Sequence, residues 1–152
     1  KRFGLDDIQA QSILDMRLKT LLTVSLLAAT SVAWAADSTK VALIKQVYRE
    51  AAARPDNSLD ILKKYADNNL KQAIRTGEKA EGVCLDADPI WNSQDPQVTR
   101  KISVTELGNG KVRASFTQYG SRVNVDYLLN CAGGSCKISD VSGIKSLMLK
   151  CR

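Results

Sequence analysis

The chain of 152 residues contains no histidine. That absence removes serine–histidine and cysteine–histidine nucleophilic catalysis, and the usual zinc sites with them. It also removes the side chain that titrates near neutral pH. Acid–base chemistry would fall to carboxylates, tyrosines or lysines, and no catalytic residue is assigned. Aromatic residues make up only 5% of the chain. No basic block is interleaved with them, which argues against nucleic-acid binding. None of the four cysteines forms a C-x-x-C pair, which argues against a metal cluster, and no cofactor is expected. The main apolar run, residues 20–32, falls short of the roughly 20 residues that a membrane-spanning helix needs.

That run belongs to a recognisable leader. Met16-Arg17-Leu18-Lys19 is a short basic head, the apolar stretch follows, and Ala33-Trp34-Ala35 closes it in small-x-small fashion. The three parts in this order predict a signal peptide over 16–35 and export to the periplasm or beyond. No cysteine lies near the cleavage point, so no membrane anchor is expected after cleavage. Upstream, "RFGLDDIQAQSILDMRL" (residues 2–18) resembles a short stretch of the DNA gyrase A subunit. The tripeptide Met16-Arg17-Leu18 serves both segments, which reads as a seam. Residues 1–15 are therefore expected to be a spurious upstream segment, with no topoisomerase function carried over.

Residues 36–152 are then expected to form one domain. The whole chain carries a net charge of +6, and this part remains basic. Cys84, Cys131, Cys136 and Cys151 all fall within it, an even count that reads as two disulfides behind a leader. Three pairings exist. Cys131 and Cys136 flank "AGGS" between two strand-like runs, where opposed antiparallel residues come within disulfide range. Cys131–Cys136 therefore has geometric support, which leaves Cys84–Cys151.

The periodicity changes partway along the domain. Val41, Ile44, Val47, Tyr48 and Ala51 trace a helical stripe that starts at Asp37 or Ser38 and stops at Pro55. A second helix is expected from Asn57 or Ser58, with Leu59, Leu62, Tyr65, Ala66, Leu70, Ala73 and Ile74 on one side and Gly77 as its C-terminal cap. Residues 78–97 have neither period. Beyond them the pattern alternates. Val98, Ile102 and Val104 share one face of a first strand, and Gly108-Asn109-Gly110 is a hairpin turn. Val112, Ala114 and Phe116 alternate with Arg113, Ser115 and Thr117. Val123, Val125, Tyr127 and Leu129 alternate with Arg122, Asn124 and Asp126. "CKISDV" supplies a fourth strand. Ile144, Leu147, Met148 and Cys151 then suggest a short closing helix. The expected architecture is α+β: two N-terminal helices on a curved four-stranded antiparallel meander, with a short C-terminal helix.

The helix pair, "LDADPIWNSQD" (residues 85–95) and the hairpin "VDYLLNCAGGSCKISDVSG" running into "SLMLKC" resemble an uncharacterised bacterial secreted family. Its fold is nuclear-transport-factor-2-like (cystatin-like). In that family the last strand reads close to W-K-I-D-D-V; here Cys136 takes the tryptophan place and Ser139 the first aspartate. The resemblance implies a cone-shaped sheet around a long helix, with a pocket at the open end. It implies no activity, since this fold hosts enzymes, binders and adaptors alike.

Two groups of residues are candidates for function. Asp86, Asp88, Trp91, Asn92, Gln94 and Asp95 concentrate polar and aromatic character outside the periodic elements, and are expected at a pocket mouth. The competing account makes the aspartates caps of turns and Trp91 a core residue. An EF-hand loop fails, because Trp91 stands where that template needs glycine. Arg100, Lys101, Lys111, Arg113 and Arg122 cluster on the first strands, with Arg113 and Arg122 on the polar face. They form either a solvated sheet face or a docking surface for an acidic protein. A carboxylate–tyrosine pair runs proton transfer in isomerase-like relatives of this fold. Alternation, however, puts Asp126 and Tyr127 on opposite faces. The expected function is an exported, non-enzymatic binding protein, its partner an unknown protein or small molecule. The alternatives are a periplasmic inhibitor or immunity protein docking an acidic toxin or enzyme, and a small isomerase-like pocket enzyme.

Overall fold

The computed structural model describes residues 38–151. The expected upstream segment (1–15) and signal peptide (16–35) lie outside the described residues. Helix α1 spans Thr39–Ala53. The Ser38 hydroxyl caps it by accepting from the Val41 amide at 3.3 Å. The stripe Val41, Ile44, Val47, Tyr48 and Ala51 is buried. The helix stops at Arg54, whose φ of −142° and ψ of 70° are non-helical, because the ring of Pro55 disfavours a helical residue before it. A 3-10 turn, Pro55–Asn57, leads on.

The single second helix expected from the stripe is two helices, α2 (Ser58–Tyr65) and α3 (Asn68–Glu78). Ala66 is extended, with φ −70° and ψ 153°. It bridges Ile138, and the Asp67 amide donates to the Ile138 carbonyl at 2.8 Å. The Asp67 carboxylate then restarts the helix by accepting from the Leu70 amide at 2.8 Å, an ordinary N-cap. Leu62, Ala66, Leu70 and Ile74 stay buried across the break, so the apolar spacing conceals it. Gly77 does not cap α3 but lies inside it. A Cβ there would run into Met148 Sδ, so the glycine allows close helix packing.

The sheet is an antiparallel meander of order β1-β2-β3-β4, comprising Ser103–Gly108, Lys111–Gln118, Ser121–Ala132 and Ser135–Val141. The β1–β2 turn places Asn109 at φ 50° and Gly110 at φ 75°, as a right-twisted two-residue hairpin requires. A Cβ on Gly110 would sit 2.8 Å from the Leu129 carbonyl. The first strand is shorter than its alternation suggests: pairing starts at Ser103↔Ser115, and residues 98–102 are outside it.

The inward faces bury Val112, Ala114, Phe116, Val125, Tyr127, Leu129, Ile138 and Val141 against the helices. At the centre Tyr48 meets Trp91, Phe116 and Tyr127 edge to face. Helix α4 (Ile144–Lys150) buries Ile144 and Met148 and packs on α3. Cys84–Cys151 ties its end to the loop that follows α3, and Cys131–Cys136 closes the last hairpin. Among the described residues the fold is thus α+β, four α-helices and one four-stranded antiparallel sheet. No helix among them is long and apolar enough to cross a membrane.

Candidate functional site

The end of β2 outruns β1. Pairing between them begins at Ser103↔Ser115, while β2 continues to Gln118. The chain reaches that end earlier, at Gln97, whose amide donates to the Gln118 side-chain carbonyl at 3.0 Å. Residues 98–102 bridge the interval without joining the sheet, and two cavities open beside them. The first, of about 420 Å³, lies between α1 and this bridge, lined by Lys45, Tyr48, Arg49, Ala52, Arg100 and Ile102. Lys45 stands three and four residues before Tyr48 and Arg49, and Ala52 four and three after them, so the four share a helix face. The second, of about 490 Å³, opens toward the polar sheet face; it shares Arg100 and Ile102 and adds Lys101, Ser103, Ser115, Phe116, Thr117 and Arg122. Thr117 and Arg122 are cross-strand partners. Neither lining includes a carboxylate.

Of the residues singled out in the sequence, Arg100, Lys101 and Arg122 line the second cavity. Arg113 does not line it. Its guanidinium grips Asp126 through two bonds, Nε to Oδ1 at 2.6 Å and Nη2 to Oδ2 at 2.8 Å. This bond holds the Asp126 carboxyl below its usual range, and Arg113's charge is largely compensated. Asp126 and Tyr127 occupy opposite faces: Asp126 is with Arg113 outside, whereas the Tyr127 hydroxyl is buried and donates to Tyr48 Oη at 3.1 Å. Burial pushes both tyrosine hydroxyls well above their ordinary pKa, so both stay protonated. The Tyr48 hydroxyl in turn donates to the Ile90 carbonyl at 2.9 Å.

The 86–95 stretch divides its side chains between several tasks. Asp88 Oδ1 accepts from the amides of Ile90 and Trp91, each at 2.8 Å, forming a tight turn that Asn92 continues at φ 51°. Trp91 is fully buried, and its indole Nε1–H has no partner among the described residues. Asp86, Asp88 and Gln94 line a shallow depression of about 500 Å³ with Asp56 and Ser58. The Asp95 carbonyl accepts from the Tyr119 hydroxyl at 2.8 Å.

Lys45 and Arg49 were not visible as site residues in the sequence. A cation at the edge of an apolar helical stripe is ordinary, because its methylenes pack while its head reaches water. What joins them to Arg100 is the tertiary crossing of the 98–102 bridge over α1, which carries no local signal.

No family model matches the chain, and no curated protein matches it. Among solved structures, it is similar to a protein of unknown function from Bacteroides thetaiotaomicron. The TM-score is 0.52 at 20% identity, with 90% of this chain and 99% of that chain covered. At that identity the likeness concerns the fold alone.

Proposed function

We propose that the chain is an exported, non-enzymatic binding protein of the nuclear-transport-factor-2-like (cystatin-like) kind, akin to the uncharacterised bacterial secreted family named above. Its binding site is the cavity between residues 100–103 and the adjoining ends of β2 and β3. This cavity carries the reading, because the hydroxyls of Ser103, Ser115 and Thr117 and the cations of Arg100, Lys101 and Arg122 line it together, beside Ile102 and Phe116. Ligand sites are characteristically concavities in which a few placed polar groups fix the ligand. The two disulfides support export, since such bonds persist in oxidising compartments. The split of Asp126 and Tyr127 between faces weakens the isomerase-like alternative, which needs two titratable groups converging on one atom. An inhibitor docking an acidic protein through the outer sheet face is weakened by Arg113, whose charge already faces Asp126.

Native mass spectrometry of the protein recovered from the periplasm tests the reading. A non-covalent adduct present in the native protein and depleted in Arg100→Glu supports it. A native spectrum free of any adduct, small or macromolecular, overturns it.

A further inference from the structure

The cavity on the polar sheet face has an ordered lining. Ser115 and Thr117 stand two residues apart on β2, with Ser103 opposite Ser115 and Arg122 opposite Thr117. Arg100 and Lys101 come from the bridge that runs into Ser103, so cations flank the hydroxyls from both sides. Arg113 on the same face is bonded to Asp126. The side chains of Arg100, Lys101, Arg122, Ser103 and Thr117, by contrast, have no hydrogen bond or ion pair among the described residues. The Ser115 hydroxyl donates to Asn124 Oδ1 at 2.7 Å, which leaves its oxygen to accept. We propose that this one cavity binds a hydrophilic phosphomonoester, a small hydroxylated molecule with a terminal phosphate. The proposal rests on the binding reading above and names its ligand class. Three uncompensated cations around one concavity call for more than a single negative charge. A phosphomonoester carries about 1.5 to 2 near pH 7, on three acceptor oxygens. The forks of Arg100 and Arg122 suit two-oxygen recognition of phosphate, and Lys101 adds a point charge. Ser103 and Thr117 are donors for the remaining phosphate oxygen, and Ser115 is an acceptor for a ligand hydroxyl.

Each rival occupant leaves part of the site unexplained. Inorganic phosphate would use the cations and leave most of the 490 Å³ empty, a volume in the range of small-ligand sites. A neutral sugar would use the hydroxyls and leave three cations unanswered. An acyl chain needs apolar surface, yet the only apolar side chains in the lining are Ile102 and Phe116, and Phe116 is 4% exposed. The same burial of Phe116 removes the exposed ring that a nucleic-acid base would stack on. A membrane phosphodiester brings one charge per phosphate and tails that this cavity does not accommodate.

Titration of the ¹⁵N-labelled exported protein tests this with glycerol 3-phosphate and glucose 6-phosphate, set against glucose, inorganic phosphate and phosphatidylglycerol vesicles. At pH 7 at least one of the two esters is expected to shift the amides of residues 100–103, 115–117 and 122. It should bind at least tenfold more tightly than glucose or inorganic phosphate. Arg122 is exposed and does not line the neighbouring cavity. Arg122→Gln, its folding verified by the same spectrum, should weaken the ester at least tenfold. Affinity should also fall severalfold from pH 7 to pH 5, as the phosphate gains a proton with a pKa of about 6. The chain has no histidine and the cavity no carboxylate, so that fall reports the charge of the ligand. Equal binding of inorganic phosphate or glucose, an affinity independent of Arg122 or of pH, or stronger binding to vesicles overturns the phosphomonoester class. If both esters fail while native spectra still show an Arg100-dependent adduct, the class is wrong and the binding reading survives. If no probe moves the cavity and no adduct is found, both fall.

Discussion

Gln118 holds Gln97 across the gap where β2 outruns β1. The Gln118 side-chain carbonyl accepts from the Gln97 amide at 3.0 Å, and the Gln97 side-chain carbonyl accepts from the Tyr119 amide at 2.8 Å. Gln118 is only 4% exposed, and its Nε2 also donates to the Trp91 carbonyl at 2.6 Å. One side chain therefore anchors both the 88–97 loop and the start of the bridge that borders both cavities.

Gln118→Ala should thus destabilise the domain by about 2–3 kcal/mol, since it strands a buried carbonyl and a backbone amide. The amides of Gln97 and Tyr119 should lose hydrogen-exchange protection more than those of β3 and β4. Urea midpoints combined with exchange mass spectrometry measure both. A uniform loss of protection across the sheet would show that the two glutamines do not position the bridge.

Gly77 and Met148 make a second test. In an ordinary helix interior Gly→Ala gains about 1 kcal/mol. Here a Cβ would run into Met148 Sδ and sit 3.3 Å from its Cβ and Cγ. Overpacking of this kind costs about 1–3 kcal/mol, so Gly77→Ala should be net destabilising. The double variant Gly77→Ala/Met148→Ala should be more stable than the sum of the single changes implies. A double-mutant cycle on denaturation midpoints reads the coupling; strict additivity would mean that the Gly77–Met148 approach has no consequence.

How much of this was legible in the sequence depends on the range of the interaction. The α1 stripe, the alternation of β2 and β3 and the Asn109-Gly110 turn are local signals, and the structure follows them. Both disulfides were legible too, one from the turn and one by elimination. The break at Ala66-Asp67 was not, because Leu62, Ala66, Leu70 and Ile74 keep helical spacing across it. Its cause is a hydrogen bond to Ile138, far along the chain. The two cavities were half legible. Arg100, Lys101 and Arg122 stood out as cations. Lys45 and Arg49 joined Arg100 only through the crossing of residues 98–102 over α1. Arg113 stood out equally, and its bond to Asp126 follows from register: Arg113↔Asp126 are directly opposed on β2 and β3.

The two disulfides should contribute unequally. Cys84–Cys151 closes a separation of 67 residues, and Cys131–Cys136 one of 5. Loop-closure entropy gives about 4 kcal/mol for the first and about 2 kcal/mol for the second. Cys84→Ser/Cys151→Ser should therefore lower the unfolding free energy in guanidinium roughly twice as far as Cys131→Ser/Cys136→Ser, and should raise the m-value more, because the released unfolded chain exposes more surface. Equal losses would contradict the loop-length account for this fold.

Glu50 sets the acid limit of the helical layer. Its carboxylate, 17% exposed, accepts from Lys64 Nζ at 2.7 and 3.0 Å, the Tyr65 hydroxyl at 2.5 Å, Gln46 Nε2 at 3.1 Å and Arg54 Nη2 at 3.3 Å. It thereby joins α1 to α2, and these donors, Lys64 foremost, push its pKa down from 4.5 to about 2. A folded-state pKa below the unfolded one means that the unfolded chain takes up the proton first as pH falls. The contribution is therefore fully present above pH 4.5 or so and is lost progressively as pH falls toward about 2. Urea midpoints of the native protein should drop across that window. Glu50→Gln should be less stable at pH 7, where the donors face a neutral amide, and should show a shallower drop. The two proteins should converge near the bottom of the window. Parallel curves through it would mean that Glu50 is not the group responsible, and would shift attention to the weaker Asp126–Arg113 pair on the sheet.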